Sequence, residues 1–254
     1  MNEAGQNAGK ATLAFVAILL AWQFGAPWAR IPAYVLPVPT AIAQKFWQTR
    51  AVQLEHLGQT ASTTLLGLAA ALLVGVLLAL LVVYARSLRA VVLPVLAAFN
   101  SIPKIAIAPL IVMWFGLDTE PKIVLAFLLA LFPIFVNSVT GLGEIEPDML
   151  DLSRLLGGNA RRIFVKVRLW HAAPHIADAL KVAFPMSLVG SVVGEFISGN
   201  RGAGYLVMSG QMTLDTPLVF AALLSITALA MAGIGAVAFF ERTFLSWRPS
   251  MRSR

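Results

Sequence analysis

Residues 60–84 read TASTTLLGLAAALLVGVLLALLVVY, and none of them is charged. An α-helix rises about 1.5 Å per residue, so about 20 apolar residues cross the hydrocarbon of a bilayer. This stretch is long enough to do so. In lipid its backbone N–H and C=O groups must be satisfied without water, and within one segment only a helix achieves that. Five further apolar runs follow the same rule: residues 11–26, 90–115, 122–140, 176–198 and 217–240. Hydrophobic residues make up 59% of the 254, and charged residues 12%. That charged share is about half of what a soluble domain carries. The expectation is an all-α membrane protein with six transmembrane helices in a single transmembrane domain, 1–254. There is no cysteine, which removes a disulfide framework and any thiolate metal site.

The runs differ in ways that bear on packing. Gly67, Ala71 and Gly75 recur every fourth residue, as do Gly190 and Gly194. Such faces let a second helix approach closely. The run 90–115 is punctuated by Pro94, Pro103 and Pro109 and holds Asn100 and Lys104. Proline frees carbonyls that, at membrane depth, must face protein or a wet cavity. A charge there costs about 3 kcal/mol on insertion scales. Asn100 and Lys104 are therefore candidates for a translocation path, with Lys104 favouring an anionic solute; pairing with a carboxylate, or snorkelling, is the alternative. Asn137, one turn after Pro133, and Ser191 join the same set. Glu195, near the outer end of 176–198, is read as a structural or gating group more than a solute contact, and Pro185 as a kink. Residues 27–57 are expected to hold an amphipathic helix on the outer surface, with Ile42, Phe46 and Trp47 on one side. The run 11–26 has a signal peptide as its alternative, with no small-x-small cleavage site to support it.

The longest polar interval, PDMLDLSRLLGGNARRIFVKVRLWHAAP at 147–174, contains Arg154, Arg161, Arg162, Lys166 and Arg168. It reads as two short amphipathic helices broken at Gly157-Gly158. Asp148 and Asp151 oppose the dipole at the start of the first, and Asn159 caps the second. Apolar knobs with a basic rim suit the groove of another protein.

This stretch resembles the cytoplasmic "EAA" loop of the membrane-spanning subunits of bacterial ABC importers. The spacing appears as Asp151-Leu152-Ser153, then Gly157, then Val167-Arg168-Leu169-Trp170; Asp replaces Glu, Leu and Ser replace the two Ala, and Trp replaces Pro. The segments LPVPT, IPKIAIAPLIVMWFGL and Glu195-Phe196 with Gly199–Gly204 and Tyr205-Leu206 are similar to the nitrate/sulfonate/taurine-type permeases. The resemblance implies a type I ABC importer permease fold with a coupling-helix loop at 141–175. It implies ATPase coupling through Asp151, Leu152, Ser153, Leu155, Gly157, Arg161, Ile163, Phe164 and Lys166. It also implies two copies of a separate ABC ATPase that binds ATP and Mg, a second permease copy in a homodimer, an external solute-binding protein, and a small anionic or aromatic solute. The chain itself is expected to hold no cofactor and to be no enzyme. The turn Gly199–Gly204 lacks the Gly-Lys-Ser/Thr end of a Walker A loop.

Charge placement sets the expected orientation. With six spans, twelve Lys and Arg fall on the side of the loop and the termini and five on the other, Lys104 and Lys181 lying within spans. The positive-inside rule makes both termini cytoplasmic in a bacterial inner membrane. The net charge of +7 is then an orientation signal and not a nucleic-acid footprint. His171 and His175 are spaced i, i+4 but flank Pro174, and no metal site is expected. A self-sufficient secondary transporter or channel is the alternative function. It calls for inverted repeats or paired intramembrane acids, and neither stands out.

Overall fold

The computed structural model describes the backbone of residues 3–245 and the side chains of all of these but 3–8, 11, 86 and 87. The basic tail with Arg248, Arg252 and Arg254 lies outside the described residues. The chain is helical: α1 Glu3–Trp28, α2 Pro39–Tyr84, α3 Arg86–Ser101, α4 Ala108–Phe115, α5 Glu120–Gly143, α6 Pro147–Leu155, α7 Ala160–Ile163, a π-turn Phe164–Arg168, α8 Leu169–Ile197, α9 Ala203–Met212 and α10 Thr216–Phe244. Four helices are long and apolar enough to cross a membrane: Pro39–Tyr84, Glu120–Gly143, Ala160–Ile197 and Thr216–Phe244. Two shorter apolar helices, Thr12–Trp28 and Leu88–Ser101, correspond to the expected first and third runs.

Four points differ from the sequence reading. The expected surface helix after Pro39 is not separate: it is the first part of α2, which runs 46 residues without interruption. Nothing between Thr40 and Thr60 stops it, since Gly58 is helical and no proline intervenes. Phe46 and Trp47 do stay exposed, while Ile42 is buried. The run 90–115 is two helices, α3 and α4, with Pro103 in the break. Pro94 lies inside α3, and Pro109 starts α4, where a missing N–H costs nothing. Pro185 does not break α8, which runs through both it and Pro174. Finally, the second short helix of the polar loop is the beginning of α8. The helix is continuous from Ala160 to Ile197, with one wider π-turn at Phe164–Arg168.

The trunk is α2, α5 and α8, and its small residues explain it. A Cβ on Gly67 would meet Ala126 Cβ at 2.5 Å, and one on Gly75 would meet Ile134 at 2.9 Å. A Cβ on Gly190 would lie 2.5 Å from the Leu125 carbonyl oxygen. Both expected small-residue faces therefore seat α5, one from each side. Ala71, Ala126, Ala130, Ala179 and Ala183 are wholly buried in the same seam. Between helices in lipid there is no hydrophobic gain, so close backbone approach and interhelical hydrogen bonds supply the association. Ser187 donates to the Thr64 carbonyl at 2.9 Å, and Thr63 and Ser191 share a hydrogen bond of 2.5 Å. Helix α10 joins through Ser225, which donates to Gln53 at 2.5 Å, and through an ion pair between Lys181 and the buried Glu241.

Candidate functional site

The polar loop leaves the trunk at Gly143, and its first turn is closed by Pro147 at the start of α6. Asp151 and Arg154 pair at 2.7 Å on one side of that helix, and Ser153 donates to the Met149 carbonyl at 2.7 Å. Leucines face outward beside this pair: Leu152 is exposed, Leu155 is 86% exposed and Leu156 79%. The two glycines that end α6 have separate causes. The Gly158 N–H reaches the Ser153 carbonyl and the Gly157 N–H the Arg154 carbonyl, a Schellman closure whose C′ residue must be left-handed. Gly157 fills that place at φ +77°. Gly158 has no room for a side chain, since a Cβ would sit 2.5 Å from the Ser153 carbonyl oxygen. Asn159 then caps α7 by accepting from the Arg162 N–H at 2.9 Å, as its sequence position predicts.

The way the loop is fastened is not visible in the sequence. Arg168 donates to the Leu142 carbonyl at 2.6 Å and lies over the Tyr84 ring at 5.6 Å. Phe164 meets the same ring edge-on at 6.2 Å. One face of the π-turn is thus clamped to the ends of α2 and α5. Ile163 is half-buried beneath Gly158, whereas Arg161 and Lys166 are exposed. Of the candidate coupling residues, Phe164 and Ile163 anchor, while Leu152 and Leu155 face outward, beside a surface rimmed by Asp151, Arg161 and Lys166. His171 faces the Gly141 carbonyl at 2.8 Å, with His175 beside it. Among the described residues no cluster of metal-ligating groups forms.

The five path candidates do not converge on one point. Lys104 donates to the Asn100 carbonyl at 3.1 Å and to its side-chain oxygen at 2.7 Å. It thereby closes the frayed end of α3. Both line a small apolar niche with Phe99, Leu131 and Phe132. Asn137 turns back on its own helix and donates to the Pro133 carbonyl at 2.8 Å. Ser191 lies in the α2–α8 seam.

Glu195 is wholly buried. It accepts from the Thr60 hydroxyl and from the Gly204 N–H, each at 2.8 Å. The turn it holds is tied on every side. The Ala203 N–H donates to Thr60, the Gly202 N–H to His56, and the buried Lys122 to the Arg201 carbonyl. His56 also stacks on Tyr205 at 5.6 Å. Gly202 stands at φ +117°, with the Glu195 carboxyl 2.1 Å from where its Cβ would be. Glu195 thus sits at the centre of the contacts that hold this turn. Thr60, His56 and Lys122 were missed because they come from other helices; the glycines of the turn were the one signal pointing there.

The chain and its fold match known proteins. The family model for binding-protein-dependent transport system inner membrane components covers residues 71–246. The chain belongs to that family. A probable ABC transporter permease of Haemophilus influenzae is 34% identical over 84% of this chain and 87% of its own. A formylaminopyrimidine transport permease of Halalkalibacterium halodurans is 31% identical over 93% and 95%. A taurine transport permease of Escherichia coli is 25% identical over 84% and 80%. Among solved structures, a chain of the MetNI methionine ABC transporter in an inward-facing conformation superposes with a TM-score of 0.55 at 23% identity, covering 76% of this chain and 97% of that one. This likeness establishes the type I importer permease fold. Within the transport family, this permease has its polar loop at one end of the trunk and its glycine turn at the other. Lys122 in the first turn of α5 and Gly143 at its end stand about 31 Å apart along the helix axis, the thickness of a bilayer's hydrocarbon.

Proposed function

We propose that this permease is the pore subunit of an ATP-driven importer, and that residues 148–168 receive a separate ATPase. The observation that carries the docking is the exposure of Leu152 and Leu155 on α6 and of Leu156 just past its end, next to a turn closed by the Schellman hydrogen bonds and a π-turn clamped by Arg168 to Tyr84. Leucines displayed beyond the membrane on a fixed helix suit a groove in a partner protein. Two copies of the chain would form the pore, and two ATPase subunits would bind ATP and Mg. An external binding protein would deliver a small anionic or aromatic solute. Relatives named for aliphatic sulfonates, taurine and formylaminopyrimidine support that class. Six spans, counting α1 and the broken α3–α4 pair, would put both termini and the loop on one side, which the positive-inside rule makes the cytoplasm. Closure of the ATPase would move α6 and, through the clamp, the trunk as one body, while the break at Ile102–Ile107 gives α3 and α4 a place to pivot. The test is the double variant Leu155→Glu, Leu156→Glu. It should insert normally, lose the co-purifying ATPase and lose uptake. Retention of the ATPase with normal uptake removes the docking role.

A further inference from the structure

Helix α9 begins at Ala203, and its first backbone donors are taken by three side chains from other helices. The Gly202 N–H donates to His56 Nδ1 at 3.0 Å, the Ala203 N–H to the Thr60 hydroxyl at 2.8 Å and the Gly204 N–H to the Glu195 carboxylate at 2.8 Å. A helix start is commonly capped by a side chain next to it in sequence. Here the N-cap is Gly202, so α2 and α8 supply the caps. Thr60 and Glu195 are wholly buried. His56 is half-buried, its ring stacked on Tyr205, and of the three it is the one that solvent reaches.

A backbone N–H can only donate. His56 Nδ1 is therefore bare, and the neutral ring carries its proton on Nε2. A second proton would go to Nδ1, turn it into a donor facing the Gly202 N–H, and break that hydrogen bond. It would also put a cation at the positive end of α9. The charged groups around the ring do not reverse this. Glu195 of α8 and Asp118 lie at the same end of the trunk as Lys122 of α5 and Arg201 of the turn, two acids against two bases. Both Glu195 oxygens are already engaged, by Thr60 and Gly204. Helix α9 presents Tyr205, and α10 has no charged residue before Glu241. Glu55, next to His56 on α2, is exposed.

We propose that His56 is a pH-sensitive latch on the Gly199–Gly204 turn. The neutral ring holds Gly202 and the start of α9 against α2, and proton uptake releases them. The latched turn binds one proton fewer than the released turn, so it is favoured at neutral pH and loosened as the pH falls. Histidine changes charge between about pH 8 and 5, which sets the window. The proposal rests on the transport reading above only for the side on which the turn lies: there it would answer to acidity outside the cell.

The test is amide hydrogen exchange of residues 199–206 in the full-length protein in lipid nanodiscs, with the subunits that co-purify. Rates at about pH 7.5 and about pH 5.5 are each divided by the intrinsic rate at that pH. The native chain should lose about tenfold in protection on acidification. His56→Gln keeps an oxygen acceptor that does not titrate and should stay protected at both values. His56→Arg is always charged and accepts nothing, and should be unprotected at both. A native chain without the loss, or a His56→Gln variant that keeps it, overturns the proposal. A second reporter uses the absence of cysteine. Ser198, at the foot of the turn, is 2% exposed, so a Ser198→Cys thiol is reached only when the turn opens. Its rate with an uncharged maleimide, relative to free cysteine at the same pH, should rise about tenfold at the acidic value, and His56→Gln should abolish the rise. Equal normalised rates overturn the latch. If the transport reading fails, the sign is an ATPase that does not co-purify; exchange and labelling are read on this chain itself and do not depend on it.

Discussion

Two glycines show how differently one residue type can be constrained. Gly157 needs a left-handed backbone but has open space around its missing side chain. Gly202 needs positive φ and also lies against the Glu195 carboxyl. Gly157→Ala should therefore cost about 1 kcal/mol, the ordinary penalty for an L-residue in that region. Gly202→Ala adds overpacking in a closed site and should cost about 2–5 kcal/mol. Thermal unfolding of the two variants in the same detergent checks the order, and equal midpoints would mean the Glu195 cage yields easily. From the sequence, both positions were only glycines in polar turns. The φ of Gly157 was suggested by the helix ending before it, whereas the crowding at Gly202 depends on a carboxylate seven residues earlier that tertiary folding brings back.

Among the elements, the join between loop and trunk matters most. The loop's first helix, its break and the Asn159 cap were legible because each depends on residues within a few positions. Where the second helix would stop was not legible: no proline or glycine lies between Asn159 and Pro174, and α8 simply continues through the π-turn. Arg168, read as one of five bases and as a position in the loop motif, is the fastening; that role was not legible because its partners Leu142 and Tyr84 are distant in sequence. A charge-assisted hydrogen bond contributes about 1.5–3 kcal/mol. Arg168→Ala should leave the ATPase bound but lower the solute moved per ATP several-fold. An unchanged ratio in reconstituted vesicles would show that the clamp transmits nothing.

For the whole molecule, the separation of the two sites is the testable property. If the trunk spans the bilayer with the loop inside, a cysteine at Ser153 reacts only with reagents admitted to the cytoplasm, and one at Gly199 reacts from outside. Labelling of intact cells with an impermeant maleimide should modify Gly199→Cys and spare Ser153→Cys. The reverse pattern would invert the orientation expected from the positive-inside rule.

Local chemistry settled a good deal in advance. Apolar runs too long for anything but membrane helices, small residues every fourth position and the spacing of the loop fixed the fold class and the family. Those signals act over one helical turn or one span, so they are written along the chain. What surrounds Glu195 and what holds Arg168 were decided by contacts between helices. Those contacts join residues up to 146 positions apart, as between His56 and Gly202. Linear spacing carries no record of such pairs, because each becomes favourable only once the trunk has packed and water has left the groups it brings together.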